Sequence, residues 1–364
     1  MNRRINIISN ILSFLVTMGS LFVVMIVSNQ NYSETLINVI CFVALGAIIS
    51  GFFNALMHEL GHLFAGKKNG FILHEISVWF FKWTVVKGRK IFSFTLPLNE
   101  AGYTEMIPTS VESVEKGYKS MTFGGIYGSI FSIIIGVAGL FFTNLPLVVF
   151  CVWSMFLPIG VYYFLGNLLP MISGGVRNDG AILYGIKKMD DVTKVTINLL
   201  KYQAELYNGK TPSEVDENLL FDLPQLPEDD LAFIMLLNFR YYYFLDKLDF
   251  ENAKKVSNRL ATLFDYMPKQ IKCVVQTDLL YNYCTFDYND YAVDDVMYEL
   301  EKYLNNVNNA QTMRAKTAYL LYVEKQVENI EMFFEKTQRE IEKCPLKGAA
   351  LFEKKLLEKM KKDA

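Results

Sequence analysis

Apolar and polar residues alternate along the chain in blocks. Four runs stay apolar over the roughly 20 residues that cross a hydrocarbon core of about 30 Å: Ile7 to Val27, Leu36 to Ala65, Met121 to Phe142 and Leu145 to Leu169. Between the second and third runs the pattern changes. Ile76-Ser77-Val78-Trp79-Phe80-Phe81 and Ile91-Phe92-Ser93-Phe94-Thr95-Leu96 are β-branched and aromatic, and Lys87-Gly88-Arg89 separates them, so residues 71–108 are expected to form β-hairpins. Such apolar strands would lie against or dip into a membrane face. Non-helical backbone is tolerated at that depth only where protein or water satisfies it, so the segment is expected to border a chamber. From Asp190 onward no run has spanning length, and helical periodicity with tyrosine and leucine stripes takes over.

Within that second half, Asp-Phe-Glu-Asn-Ala at 249–253 is echoed by Asp-Tyr-Asn-Asp-Tyr-Ala at 287–292 and by Gln-Val-Glu-Asn-Ile at 326–330. The steps of 38 and 39 residues suggest stacked helix pairs. The arrangement resembles a degenerate tetratricopeptide array with a period longer than the usual 34 or so residues; such arrays usually bind peptides or partner helices, and an amphipathic bundle with no ligand is the alternative reading. The predicted fold class is an α-helical polytopic membrane protein, with four transmembrane helices and a membrane-associated β-hairpin insertion, plus an all-α helical-repeat soluble domain. Its parts would be an N-terminal helix (1–30), a membrane core (31–189) and a helical-repeat domain (190–364), ending in a Lys-rich capping helix and frayed tail from Leu346 to Ala364.

Charge gives the runs a direction. Arg3 and Arg4 precede the first, Lys67 and Lys68 follow the second, Lys116 and Lys119 precede the third, and Arg177, Lys187 and Lys188 follow the fourth. The opposite loops, Ser28 to Thr35 and Thr143 to Asn144, hold no Lys or Arg. The positive-inside rule then places both termini in the cytoplasm of a multi-pass cell-membrane protein. The first run exceeds the 7–15 residues of a signal-peptide core and lacks a small-x-small cleavage site, so it reads as a retained helix. Overall the 364 residues are 52% hydrophobic and 14% aromatic yet 20% charged, which the uneven distribution reconciles. A net charge of -2 offers no basic face for phosphates, so nucleic acid is not an expected partner. Five cysteines without a Cys-x-x-Cys pair indicate neither a disulfide framework nor a thiolate metal site.

The candidate chemistry lies near the end of the second run, at His58-Glu59-Leu60-Gly61-His62. On a helix, positions i and i+4 share a face, so both imidazoles can reach one ion with Glu59 beside it. An exposed helix can carry this pattern as ordinary polar surface. Here it follows 22 residues, Leu36 to Met57, without a charged side chain, and an ionisable group at membrane depth is a functional-site hypothesis by default. The third run is rich in small residues at Gly124, Gly125, Gly128, Ser129 and Ser132, which reads as a helix-packing face. After the fourth run, Pro170 and Gly174-Gly175 break the helix and can turn Asp179 back towards the histidines. Asp179 can equally serve as N-cap of a helix from Ala181 to Lys188. His74, twelve residues past His62, and the carboxylates Glu75, Glu100 and Glu105 are further candidates for a third ligand. The soluble metzincin spacing fails, because it would need a histidine where Lys68 stands.

This set resembles the site-2 protease family, intramembrane zinc metalloproteases that cut membrane-embedded segments, over about residues 36–185. His58, Glu59 and His62 match its first motif, and Asp179-Gly180 matches the Asp-Gly of its third core helix. Asn167 and Pro170 stand near the Asn-Pro that normally precedes it, and Ala101-Gly102-Tyr103 resembles the Gly-Tyr segment of its membrane-associated hairpin. Two departures stand out: Gly124-Gly125-Ile126-Tyr127-Gly128 replaces the family's Gly-Pro-x-x-Asn, and the gap from Pro170 to Asp179 is wider than the family's tight form. The resemblance implies Zn2+ on His58, His62 and Asp179, with Glu59 as general base. It also implies substrate contacts from Asn167, Gly102 and Tyr103. Asp179 is favoured over His74 because His74 falls in a strand-like stretch.

The expected activity is hydrolysis, near the cytoplasmic face, of a peptide bond in a membrane-spanning or membrane-associated peptide or protein. The lipid bilayer is the expected surrounding, and a peptide or protein partner is expected on the C-terminal helical domain. Only Gly180 to Met189 joins Asp179 to that domain, so a peptide docked there would be held at high effective concentration near the site. The rival expectation is a catalytically inactive membrane protein whose helical repeats bind a peptide for sensing, export or self-protection.

Overall fold

The computed structural model describes residues 3–94, 101–173, 175–325 and 327–364. Glu100, one of the carboxylates weighed above, lies outside these residues, as does Gly174. The chain divides into two compact units, Met1–Ile107 with Glu115–Asp190, and Pro108–Val114 with Asp191–Ala364.

Among the described residues, four segments are long and apolar enough to cross a membrane: Asn6–Asn31, Leu36–Lys68, Val111–Gly139 and Leu147–Leu168. They form α1 (Arg3–Asn31), α2 (Leu36–Lys68), α3 (Val111–Gly139), α4 (Leu147–Ser154) and α5 (Phe156–Leu168). At about 1.5 Å per residue, the 33 residues of α2 extend roughly 50 Å. The Thr35 side chain accepts from the Asn38 N–H at its start, and Asn69 closes the end just past Lys67 and Lys68. Two boundaries differ from the sequence expectation. Helix α3 begins ten residues before Met121, because polar residues from Val111 onward continue the helix past its apolar stretch. The fourth run is broken at Met155, since Pro158 has no N–H to give the Ser154 carbonyl and the ladder is interrupted there.

The expected hairpin region is a four-stranded sheet in the order β3-β2-β1-β4, with β1 (Phe71–Val78), β2 (Phe81–Val86), β3 (Arg89–Phe94) and β4 (Gly102–Pro108). Strands β1 and β2 pair antiparallel with Val78 opposite Phe81, and β2 and β3 pair with Val86 opposite Arg89. Lys87 and Gly88, both at positive φ, make the two-residue turn that matches the twist of flanking strands. The register puts Phe81, Trp83, Phe92 and Phe94 on one face, and Phe52 of α2 packs edge-on against Trp79 and Phe81. Outer strand β4 lies along α2: a Cβ at Gly66 would meet the Met106 sulfur, and one at Gly102 would meet Glu59.

Beyond α5, a two-stranded ribbon, β5 (Ile172–Ser173) with β6 (Val176–Arg177), leads into α6 (Asp179–Lys188). The Asn6 amide on α1 donates to the Ile172 carbonyl at 3.0 Å and accepts from its N–H at 3.3 Å, tying the ribbon to the first helix.

The second unit is helical. Helices α7 (Asp191–Tyr207) and α8 (Asn218–Phe221) precede the hairpins α9 (Leu231–Asp246) with α10 (Phe250–Ala261), α11 (Lys269–Thr285) with α12 (Asp290–Asn306), and α13 (Ala310–Ala318) with α14 (Ile330–Ile341). Helix α15 (Lys347–Asp363) follows. The echoed Asp/Asn segments fall where the second helix of each hairpin begins, and the Asp249 and Asn289 side chains cap α10 and α12. Helix α15 packs against α7, α13 and α14 rather than fraying. In the core Arg314 of α13 is fully buried. It donates to Asp278 of α11 and, at 2.8 Å, to Glu353 of α15.

Candidate metal centre

Among the described residues of the first unit, three side chains could hold a metal ion: His58, His62 and Asp179. One turn of α2 separates the histidines, whose Nε2 atoms lie 3.3 Å apart with the rings perpendicular. Asp179 is the first residue of α6, and its Oδ2 is 3.4 Å from His58 Nε2 and 3.2 Å from His62 Nε2. The capping role weighed for Asp179 belongs to Asn178 instead. Asn178 is extended while Asp179 is already helical, so the Asn178 Oδ1 receives the N–H groups of Ala181 and Met171, both at 2.9 Å. Its amide donates to the carbonyls of Gly166 and Leu169, closing the connection from α5 to α6. Asp179 is thereby released from backbone duty.

The three separations form a nearly equilateral triangle. A tetrahedral ion of the size of zinc, with N and O ligands at about 2.0–2.1 Å, sets ligand-to-ligand edges of about 3.3–3.4 Å, so the spacing of the donor set matches that of one such ion. The outer hydrogen bonds orient the lone pairs. His62 Nδ1 is 2.9 Å from the Met121 carbonyl, which can only accept, so the proton of the neutral ring sits on Nδ1. His58 Nδ1 is 3.0 Å from Ser129 Oγ, whose own hydrogen goes to the Gly125 carbonyl at 3.2 Å, so Ser129 accepts from His58. Both Nε2 lone pairs then face Asp179 Oδ2, a buried atom with no hydrogen-bond donor. Three acceptors this close repel one another unless a cation lies between them. Burial alone would raise the Asp179 pKa; the imidazoles, when they carry the facing proton, outweigh it and hold the carboxyl below its usual range.

The glycines of α3 allow the helix to come this near. A Cβ at Gly61 would sit 2.1 Å from the Gly124 carbonyl, and one at Gly124 would sit 2.3 Å from that of Gly61, so the two backbones touch. At Gly125 a Cβ would meet His62 Nε2 at 2.3 Å and His58 Cε1 at 2.6 Å. The small-residue face of α3 is therefore the wall of the histidine site. Ser129 lies one turn after Gly125, a spacing that could have marked it as a histidine partner. No residue pattern could have marked the Met121 carbonyl.

Glu59 is buried beside the histidines. Thr104 of β4 donates to its Oε2 at 2.7 Å, and Gly102 lies against its Cγ. The other residues singled out from sequence are placed elsewhere. Tyr103 points to Glu75, which also takes bonds from Thr84 at 2.9 Å and Lys82 at 2.6 Å. Asn167 bonds back to the Tyr163 carbonyl of its own helix at 3.0 Å. His74, Glu75 and Glu105 join no group of converging ligand atoms among the described residues. Comparison with known proteins finds no matching family model, no similar curated protein and no similar solved structure.

Proposed function

We propose that the protein is an intramembrane zinc endopeptidase that hydrolyses a membrane-embedded or membrane-associated peptide or protein near the cytoplasmic face. The observation that carries this reading is the triangle of His58 Nε2, His62 Nε2 and Asp179 Oδ2 with edges of 3.2–3.4 Å, next to a buried Glu59, on a helix apolar enough to span. His58, His62 and Asp179 would hold the zinc ion, which when bound would supply Lewis-acid polarisation of a carbonyl and acidification of water. Glu59 then takes the proton of the attacking water and returns it to the departing amine. His58 and His62 are kept in the ligating tautomer by Ser129 and the Met121 carbonyl, as ligand imidazoles generally require. A helical substrate must unwind before its amide can be attacked, and outer strand β4, beside Glu59, offers the backbone pairing it gives up. The charges flanking the four apolar helices support cytoplasmic termini.

The test is metal analysis and cleavage of fluorophore-labelled casein by detergent-purified protein. Casein is an unstructured chain that needs no unwinding. The wild type should hold one zinc per chain and cut casein. His58→Ala should lose the metal, and Glu59→Gln should keep it and lose cleavage. Absence of zinc from the wild type would favour the catalytically inactive, peptide-binding reading. Full cleavage by Glu59→Gln would refute the mechanism.

A further inference from the structure

The general base in this reading is not held by the helix that carries it. Glu59 follows His58 by one residue, about 100° around α2, and three rotatable bonds separate its carboxylate from the backbone. Its position is set from outside, by β4. The Thr104 hydroxyl lies 2.7 Å from Glu59 Oε2 and 3.2 Å from the Glu59 carbonyl, and its single hydrogen goes to the nearer acceptor, the carboxylate. Two residues earlier on the same strand, Gly102 closes the other side. A Cβ there would stand 2.9 Å from Glu59 Cγ and 3.1 Å from Oε1, with the Ser77 carbonyl of β1 at 3.0 Å behind it. Residues i and i+2 of a strand share a face, which is why one strand can apply both restraints.

We propose that Thr104 is a positioning residue for the Glu59 carboxylate and that Gly102 is the clearance this position needs; the inference rests on the hydrolytic reading above. Bonded through Oε2, the carboxylate keeps Oε1 for the proton it takes from water and later returns. The strand that positions the base is also the outer strand of the sheet, so a substrate segment paired along β4 would steady the element that aims Glu59. A hydroxyl whose only task is to satisfy a buried carboxylate would act on folding and metal retention instead, and the two roles separate in kinetics.

The experiment compares wild type, Thr104→Val, Thr104→Ser and Gly102→Ala in full-length, zinc-loaded protein, with fluorophore-labelled casein as probe and zinc content and melting temperature as controls. Losing a hydrogen bond to a charged group predicts a kcat lower by about 10- to 100-fold in Thr104→Val, with KM within about twofold and one zinc retained. Thr104→Ser keeps the hydroxyl and should recover kcat to within a few-fold. Gly102→Ala should lower kcat with the same zinc content, because its methyl group displaces Glu59. Unchanged kcat in Thr104→Val overturns the proposal, as does a rise in KM alone or a loss confined to zinc content and melting temperature. If Glu59→Gln loses turnover while Thr104→Val keeps it, only the positioning role falls. If Glu59→Gln keeps turnover, the hydrolytic reading itself has failed.

Discussion

Gly125→Ala measures how tightly α3 is fitted to the two imidazoles. The added Cβ would lie 2.3 Å from His62 Nε2, 2.6 Å from His58 Cε1 and 2.7 Å from His62 Cε1, where ordinary contact begins at 3.4 Å. About 1 Å must therefore be found, and a close-packed interior has no slack of that size. The rings cannot simply turn aside, because their Nδ1 atoms are bonded to Met121 and Ser129 on α3 itself, at 2.9 and 3.0 Å. If α3 retreats it carries those partners with it. Either way the 3.2–3.4 Å triangle opens by several times the roughly 0.2 Å that ligand distances tolerate. Zinc affinity should fall by at least about 100-fold, or roughly 2.7 kcal/mol. Replacing a helical glycine also adds about 1 kcal/mol of helix propensity, so the variant should not lose its secondary structure. Gly166→Ala is the control: it too is helical, and a Cβ there meets nothing within 4 Å. Competition against a chromogenic zinc chelator in detergent gives both affinities. Gly125→Ala binding zinc within threefold of wild type, like Gly166→Ala, would refute the argument from packing.

Asp179→Asn should abolish stoichiometric zinc while leaving α6 formed, because Asn178 and not Asp179 caps it; circular dichroism and metal analysis together check this. Ser129→Ala removes the partner of His58 Nδ1 and should weaken zinc by about 10- to 100-fold in the same chelator assay. In the second unit, Arg314→Leu leaves Asp278 and Glu353 buried without their cation. It should cost about 3–5 kcal/mol, read as lost hydrogen-exchange protection over residues 269–318. Burial pushes the Glu353 carboxyl up to about 7 against the opposing pull of Arg314. A carboxyl whose folded pKa exceeds its unfolded value of roughly 4.3 binds a proton on folding. Its contribution is therefore full below the unfolded value and is lost as pH rises through about 7. Hydrogen-exchange stability of this unit should decline from pH 5 to 8, and Glu353→Gln should flatten the decline.

Periodicity and spacing were enough to find the four apolar helices, the strands between the second and third, and the helical character of everything after Asp190, because each depends on how neighbouring residues share a face or a span. The same local logic brought His58 and His62 together, since four residues make one turn of helix. Asp179 lies 117 residues from His62, and its arrival at 3.2 Å depended on an extended Asn178, the ribbon before it and the helix break at Pro170. Local sequence could name Asp179 as a candidate but could not choose between ligand and cap, because the choice turns on which of two adjacent residues is the first to become helical. The glycines of α3 read correctly as a packing face, yet only tertiary structure decided what they pack against: the Gly61 backbone and the histidine rings. Thr104 and the Met121 carbonyl were illegible for the same physical reason. A threonine in a strand and a carbonyl in a helix look like any others until a distant element is laid beside them, and long-range packing alone determines which element that is.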